Sequence, residues 1–320
     1  MKPSERHYAN DVIGENYQYT VLELPPDHEG PVIATLIRKK ANKATQKAVL
    51  YIHGFVDYFF QTEMAEYFNA QGYDFYALDL RKYGRSLLAH QTMYQVKAIT
   101  DYDAEIDLAL QIIAEEGHDS ILLSGHSTGG LTTTLYAARH PKHPTIKGLW
   151  LNSPFYNFNM TAFEKKYLVP KIAALGKKLP NLQFPSRLNK WYVPSLHQIY
   201  EGEWLFNLEW KKPSMPLVAL GFVTAIHEAQ KQLHQGIQID IPVLIMHSHQ
   251  TKYPLRFNQD AQNSDVILNI QDMITHSQNI QGDVQLCEIH NGLHDLVLSK
   301  KMVRSQVYKA LSQWLKQKEI

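Results

Sequence analysis

One cysteine, Cys287, is all the chain contains, so no disulfide can form within it. A reducing compartment is the expectation, with the cytoplasm as the default. Cys287 lies in the apolar run "VQLCEI", which suits a buried structural thiol better than a nucleophile. Neither sign of charge is in excess, since 32 Lys and Arg against 31 Asp and Glu leave a net charge of +1. That balance provides no footprint for nucleic acid and no polybasic anchor. No apolar stretch approaches the roughly 18 residues of a membrane span, so no integral membrane segment is expected. The opening "MKPSERHYAN" lacks the apolar region of a secretory leader. What remains is a 320-residue chain with 44% apolar and 20% charged residues, enough for one large domain or a core with an insertion.

β-Rich runs alternate with helical patterns, which predicts an α/β class. Strands are expected at 17–24, 32–38, 48–54, 73–80, 120–125, 146–152, 242–248 and 284–289. Several are apolar at consecutive positions, as in parallel strands covered on both faces. The first two precede any helical pattern and are expected to form an antiparallel N-terminal edge. Helices are expected over 60–71, 101–117, 128–139, 269–280 and 300–317. In the last, Val303, Val307, Ala310, Leu311 and Trp314 recur at helical spacing. The stretch from 154 to 239 breaks the alternation and is too long for a bare connection. It is rich in proline and aromatics and reads as an inserted helical cap, between core parts at 1–153 and 240–320. No internal repeat or low-complexity segment is present.

Chemistry concentrates at "SGHSTGG", residues 124–130. "GHSTG" fits G-x-S-x-G between a predicted strand and a predicted helix, the context of a nucleophile elbow. Ser127 is therefore the candidate nucleophile, and the helix N-terminus brings backbone N–H groups near it. A serine hydroxyl needs a base to take its proton and a third group to orient that base. "NGLHDLVLS" supplies His294 in a loop after the last strand, whereas His290 sits nearer the strand end. "HSHQ" (247–250) offers two histidines without a convincing third ligand, so no metal and no cofactor is expected.

Four stretches together, "YIHGFVDYF", "QGYDFYALDLRKYGRS", "LLSGHSTGG" and "NGLHDLVLS", resemble α/β-hydrolases of the monoacylglycerol lipase, lysophospholipase and serine aminopeptidase-like (S33-type) group. The resemblance implies an α/β-hydrolase fold and a Ser-His-Asp triad. "DLRKYGRS" departs from the group's D-x-R-G-x-G-x-S by placing Lys82 at the first glycine. By resemblance the oxyanion donors are the amides of Phe55 and Thr128. The acid is expected after the strand at 242–248, but "HQTKYPLRFNQ" has no carboxylate. "NSDVILNIQDM" resembles the group's acid segment, so Asp265 is assigned and 249–264 is taken as an insertion. Asp272, Asp260 and Asp79 are the rivals.

The expected function is a serine hydrolase acting on a small-molecule carboxylic ester with an apolar acyl or aryl group. A proline-iminopeptidase-like aminopeptidase is the enzymatic alternative, its amine held by a cap carboxylate among Glu164, Glu201, Glu203, Glu209 and Glu228. A hydrolase-fold ligand receptor is the non-enzymatic one.

Overall fold

In the computed structural model, which describes residues 6–213 and 216–320, a nine-stranded sheet runs through the chain. Residues 1–5, where the leader reading begins, and 214–215, inside the expected insertion, lie outside the described residues. The first seven strands are β1 (Ala9–Asn10), β2 (Gln18–Asp27), β3 (Gly30–Lys39), β4 (Lys47–Ile52), β5 (Asp74–Asp79), β6 (Ser120–His126) and β7 (Ile146–Asn152). Short strands β8 (Gln183–Pro185), β9 (Leu217–Ala219) and β10 (Ile237–Gln238) follow, then β11 (Val243–Ser248), β12 (Ile280–Gln281) and β13 (Val284–Ile289). The sheet order is β1-β2-β3-β5-β4-β6-β7-β11-β13. Pairing is antiparallel from β1 through β3 to β5, and parallel from β5 onward to β13. This is the α/β-hydrolase architecture, with the antiparallel edge where the first two predicted strands lie.

Burial explains which strands are continuous apolar runs. β5 and β11 are buried at every position, and in β4 only Lys47 escapes. Alternate residues of β4 enter two different cores, because a strand points successive side chains to opposite faces. Ala48, Leu50 and Ile52 join the core beneath helices α2 (Asp103–Glu115) and α3 (Thr128–Arg139). Val49 and Tyr51 join the other, with α1 (Thr62–Ala70) and the C-terminal helix Lys301–Lys318. In that last helix Val303, Val307, Leu311 and Trp314 form the buried stripe, while Ala310 is only half-buried. A fully buried side chain of this size contributes about 1.5–3 kcal/mol.

The edge strand β13 departs from the sequence reading. It pairs only with β11, and Cys287 within it is half-buried rather than buried. An edge strand covered incompletely leaves an apolar run partly in water. Burial still pushes the Cys287 thiol up from its ordinary value.

Between β7 and β11 lie α4 (Val169–Lys178), α5 (Tyr192–Leu196), α6 (Leu220–His234) and the antiparallel pair β8–β9. α4 and α6 touch at Gly176, where a Cβ would collide with Thr224 Oγ1 and the Leu220 carbonyl. A third apolar cluster joins this segment to the core through Tyr58, Phe60, Tyr192, Phe206, Val266 and Leu293. After β11 come the short α7 (Asp260–Asn263) and α8 (Ile270–Ser277), and Lys301–Lys318 is α9. Among the described residues no helix is long and apolar enough to cross a membrane.

Candidate active site

Ser127 sits between the last residue of β6 and the first of α3, with φ 52° and ψ −114°. A non-glycine residue held there costs on the order of 1–3 kcal/mol, so its surroundings must impose the turn. They do so from three sides. Ser127 N donates to the Asn152 carbonyl at 3.1 Å, while its own carbonyl accepts from Leu131 N at 3.1 Å and Phe155 N at 2.9 Å. The flanking glycines are steric necessities. A Cβ on Gly125 would strike the Gly129 carbonyl and Thr133 Oγ1, and one on Gly129 would strike the carbonyls of Ile52 and His53.

His294 and Asp265 are brought together. Asp265 is fully buried, and its Oδ2 accepts from His294 Nδ1 at 2.9 Å. Its Oδ1 accepts the backbone N–H groups of Ile267 and Leu268, each at 2.8 Å. The carboxylate is thus fixed by its own loop before it meets the imidazole. A proton held on Nδ1 leaves the lone pair of a neutral ring on Nε2. His294 and Ser127 line one cleft, together with Phe55, His126 and Tyr192. Phe55 and Thr128 flank Ser127 and line a second, adjoining chamber. Thr128 opens α3, so its N–H is among those without a partner inside the helix.

The rivals lie elsewhere. His290 is exposed and pairs with Glu288 at 3.5 Å. Asp272 points from α8 to Lys165, Asp260 is half-buried on α7, and Asp79 accepts from Phe59 N and from Arg85. Residues 249–264 leave β11 and return so that Thr251 bridges Asp265. Lys82 keeps a left-handed backbone at φ 65° and buries its ammonium against Asp27 and Glu29.

Comparison with known proteins identifies the family. Residues 43–300 match the family described as serine aminopeptidase, S33 (Hydrolase_4). The chain belongs to that family. No curated protein matches it. Among solved structures, a soluble variant of monoglyceride lipase from Saccharomyces cerevisiae, in complex with a substrate analog, is similar at TM-score 0.66 and 16% identity. That match covers 94% of this chain and 96% of the other. Paleococcus ferrophilus monoacylglycerol lipase gives TM-score 0.64 at 18% identity, covering 88% and 99%. Est1E from Butyrivibrio proteoclasticus gives 0.55 at 16%, covering 93% and 98%. At these identities the likeness shows the shared fold.

Within this S33-family site, several titratable groups escaped the sequence reading. His126, the residue before Ser127, is buried, and its ring lies 4.8 Å from that of His294. Its Nδ1 donates to the Asn152 carbonyl at 3.1 Å. Burial, only partly offset by Asp295, holds His126 below its ordinary value. Asp295 accepts from Asn152 Nδ2 at 2.7 Å and from Gln61 Nε2 at 3.2 Å, which anchors the loop just past His294. Asp57 pairs with Lys211 at 2.8 Å. Asp57, His126 and Asp295 present ligand-type atoms within 4.8 Å of one another. The hydrogen bonds just named already engage both Asp295 oxygens, one Asp57 oxygen and His126 Nδ1, so the trio fits an internal polar network better than a cation site. Only adjacency could have flagged His126 and Asp295, and nothing local marks Lys211.

The two spaces beside Ser127 differ in character. The cleft on the His294 side is lined by Asn189, Lys190, Lys211 and Lys212 among others. The adjoining chamber, of about 300 Å³, is walled by Phe158, Leu168, Ile172, Phe184, Phe222 and Ile226 among others. Phe55 stands between them, its ring stacked on Phe222 at 4.9 Å.

Proposed function

We propose that the chain is a serine hydrolase that cleaves a carboxylic ester through an acyl-enzyme. One juxtaposition carries the reading: Ser127, in a strained strand–helix turn, lines both a cleft reached by His294, which Asp265 holds from behind, and an apolar chamber. Ser127 Oγ attacks the ester carbon while His294 Nε2 takes the hydroxyl proton. Asp265 fixes the ring tautomer and stabilises the imidazolium. The amides of Phe55 and Thr128 donate to the oxyanion, and such a donor is worth on the order of 10²–10³ in turnover. The imidazolium then protonates the leaving oxygen, the C–O bond breaks and the alcohol departs. Water repeats the sequence, releasing the acid and restoring Ser127.

Residues 154–239 serve as a cap on the core formed by 1–153 and 240–320. The apolar chamber between them takes the acyl or aryl group. The single half-buried thiol of Cys287 suits the cytoplasm.

The side-chain partners favour this reading over an aminopeptidase of the proline-iminopeptidase kind. Glu164 pairs with Arg187, Glu203 with Arg304 and Glu228 with Lys177. Among the described residues lining the cleft and the chamber, none is Asp or Glu, so a substrate α-amine would find no counter-charge there. Loss of a triad member would favour a non-hydrolytic receptor, and Ser127, Asp265 and His294 are all present in this chain.

A serine-reactive fluorophosphonate is expected to label the protein but not Ser127→Ala. That variant keeps the fold and loses up to about a million-fold in ester turnover. His294→Ala behaves likewise and His290→Ala does not. Faster cleavage of a prolyl arylamide than of a 4-nitrophenyl ester would sink the ester assignment.

A further inference from the structure

Away from Ser127, a cleft of about 450 Å³ opens between α4, α6 and α8. Lys166, Lys231, His227, His234, His276 and Asn157 line it. Lys166 and Lys231 can each donate charge-assisted hydrogen bonds, and no carboxylate lines the cleft among the described residues. Lys165, also on its wall, is held by Asp272 at 2.6 Å, and nearby Glu228 is held by Lys177 at 2.7 Å. Among the described residues no carboxylate pairs with Lys166 or Lys231. We propose that this cleft is a second binding site, for a phosphate-bearing anion.

Three observations converge on that ligand. Charges of one sign gathered in a concave site raise its potential, and an anion offsets it through charge-assisted hydrogen bonds. The imidazoles of His234 and His276 stack at 3.7 Å with only 14° between their planes, which gives the cleft a flat, fixed wall beside the lysines. Burial first, and His234 second, hold His276 down at about 4 against the pull of Asp272. His276 is therefore neutral near pH 7, and the charge that would hold a phosphate is that of Lys166 and Lys231. The floor is built rather than loose: His234 Nε2 donates to the Tyr156 carbonyl at 2.7 Å, and Asn157 Nδ2 lies 3.1 Å from His276 Nε2.

The surface beside the cleft points to a phosphate carried by a lipid. Phe163 and Tyr167 are 71% and 48% exposed, and Leu175 and Leu179 are exposed beyond them. Lys166, Lys171 and Lys178 alternate with these residues, the pattern of a helix face that meets an anionic interface. Phe158 and Val169 wall both this cleft and the apolar chamber, so the two spaces are neighbours without being one.

The test is calorimetric titration of the full chain with inorganic pyrophosphate, alongside sedimentation with phosphatidylcholine vesicles containing or lacking phosphatidic acid. Saturable binding of one equivalent is expected, weakened at least about tenfold in Lys166→Gln/Lys231→Gln, where two charge-assisted contacts are lost. Both lysines are surface residues outside the hydrolytic machinery, so ester turnover of the double variant serves as the control for folding. Ser127→Ala should bind both probes as the parent does, which keeps this result separate from the hydrolase reading. Vesicle binding that depends on phosphatidic acid and fails in the double variant assigns a lipid-borne phosphate. Pyrophosphate binding alone, equally sensitive to the lysines, assigns a soluble one. No saturable binding of either probe, or binding indifferent to the double substitution, overturns the proposal.

Discussion

Lys211 Nζ lies 2.8 Å from Asp57 Oδ1, with the two side chains 2% and 1% exposed. Asp57 belongs to the loop after β4 that carries Phe55, and Lys211 to the long segment between β7 and β11. The pair therefore ties that segment to the loop proposed to hold the oxyanion, at the rim of the cleft that Lys211 lines. Asp57 Oδ2 is buried without a partner, so the lysine is the principal compensation for this carboxylate.

Removing the ammonium alone should accordingly be worse than removing both charges. Lys211→Met leaves a buried unpaired carboxylate and is expected to cost about 3–5 kcal/mol in denaturant unfolding. Adding Asp57→Leu should recover much of that loss. If the double variant is as unstable as Lys211→Met, the pair contributes by packing and not by charge.

The acid can be tested against its rival on α8. Asp265→Asn keeps the loop but favours the wrong tautomer of His294, and an exchange of this kind costs on the order of 10⁴ in turnover. Asp272→Asn loses the contact with Lys165 and should leave turnover near normal. The reverse pattern, measured as kcat on one ester, would move the acid to α8.

These two carboxylates also mark how far the sequence could be read. β4 to β7 and β11 were legible because burial on both faces writes itself as an unbroken apolar run. The buried stripe of α9 was legible because Val303, Val307, Leu311 and Trp314 repeat at the helical period. Cys287 was misplaced because its own run cannot say whether a further strand covers β13. Asp265 is assigned from sequence only through the likeness of "NSDVILNIQDM" to the group's acid segment, whereas the path by which 249–264 loops back to pair Thr251 with Asp265 is a tertiary one that no local pattern encodes. Asp57 and Lys211 stand 154 positions apart, and neither has a neighbour in sequence that hints at the other.

A separate prediction concerns acid stability. Glu116 accepts from the hydroxyls of Tyr8 and Tyr76 at 2.5 and 2.6 Å, and pairs with Lys40 and Arg38 at 2.7 and 2.9 Å. Burial alone would raise its carboxyl, but the hydrogen bonds from Lys40, Tyr76 and Tyr8 overcome it and bring the group down to about 2 from 4.5. A folded value below the unfolded one stabilises the protein above the unfolded value, and that contribution disappears as pH falls through the folded value. Glu116→Gln should therefore be less stable at neutral pH, by on the order of 2 kcal/mol after discounting for partial solvent screening. The gap should close as pH falls from about 4.5 to about 2. Denaturant midpoints across that window provide the check, and a gap independent of pH would remove Glu116 as its source.

The apolar chamber makes the final prediction, because its volume should limit the acyl chain. Val223 lines it from α6, beside Phe222, and is only partly buried, so a larger side chain there can extend into the chamber instead of into a packed core. Val223→Trp would fill part of the roughly 300 Å³ available and shorten the chamber. A long acyl chain would then lose burial that each methylene supplies at about 0.8 kcal/mol, and the loss compounds along the chain. For a decanoyl ester kcat/KM should fall by at least about tenfold, a cost of about 1.4 kcal/mol. An acetyl ester, which needs only the rim near Ser127, should be hydrolysed as before. A uniform fall across all chain lengths would mean that the introduced indole disturbs the Ser127 turn, and an unchanged profile would place the acyl group outside this chamber.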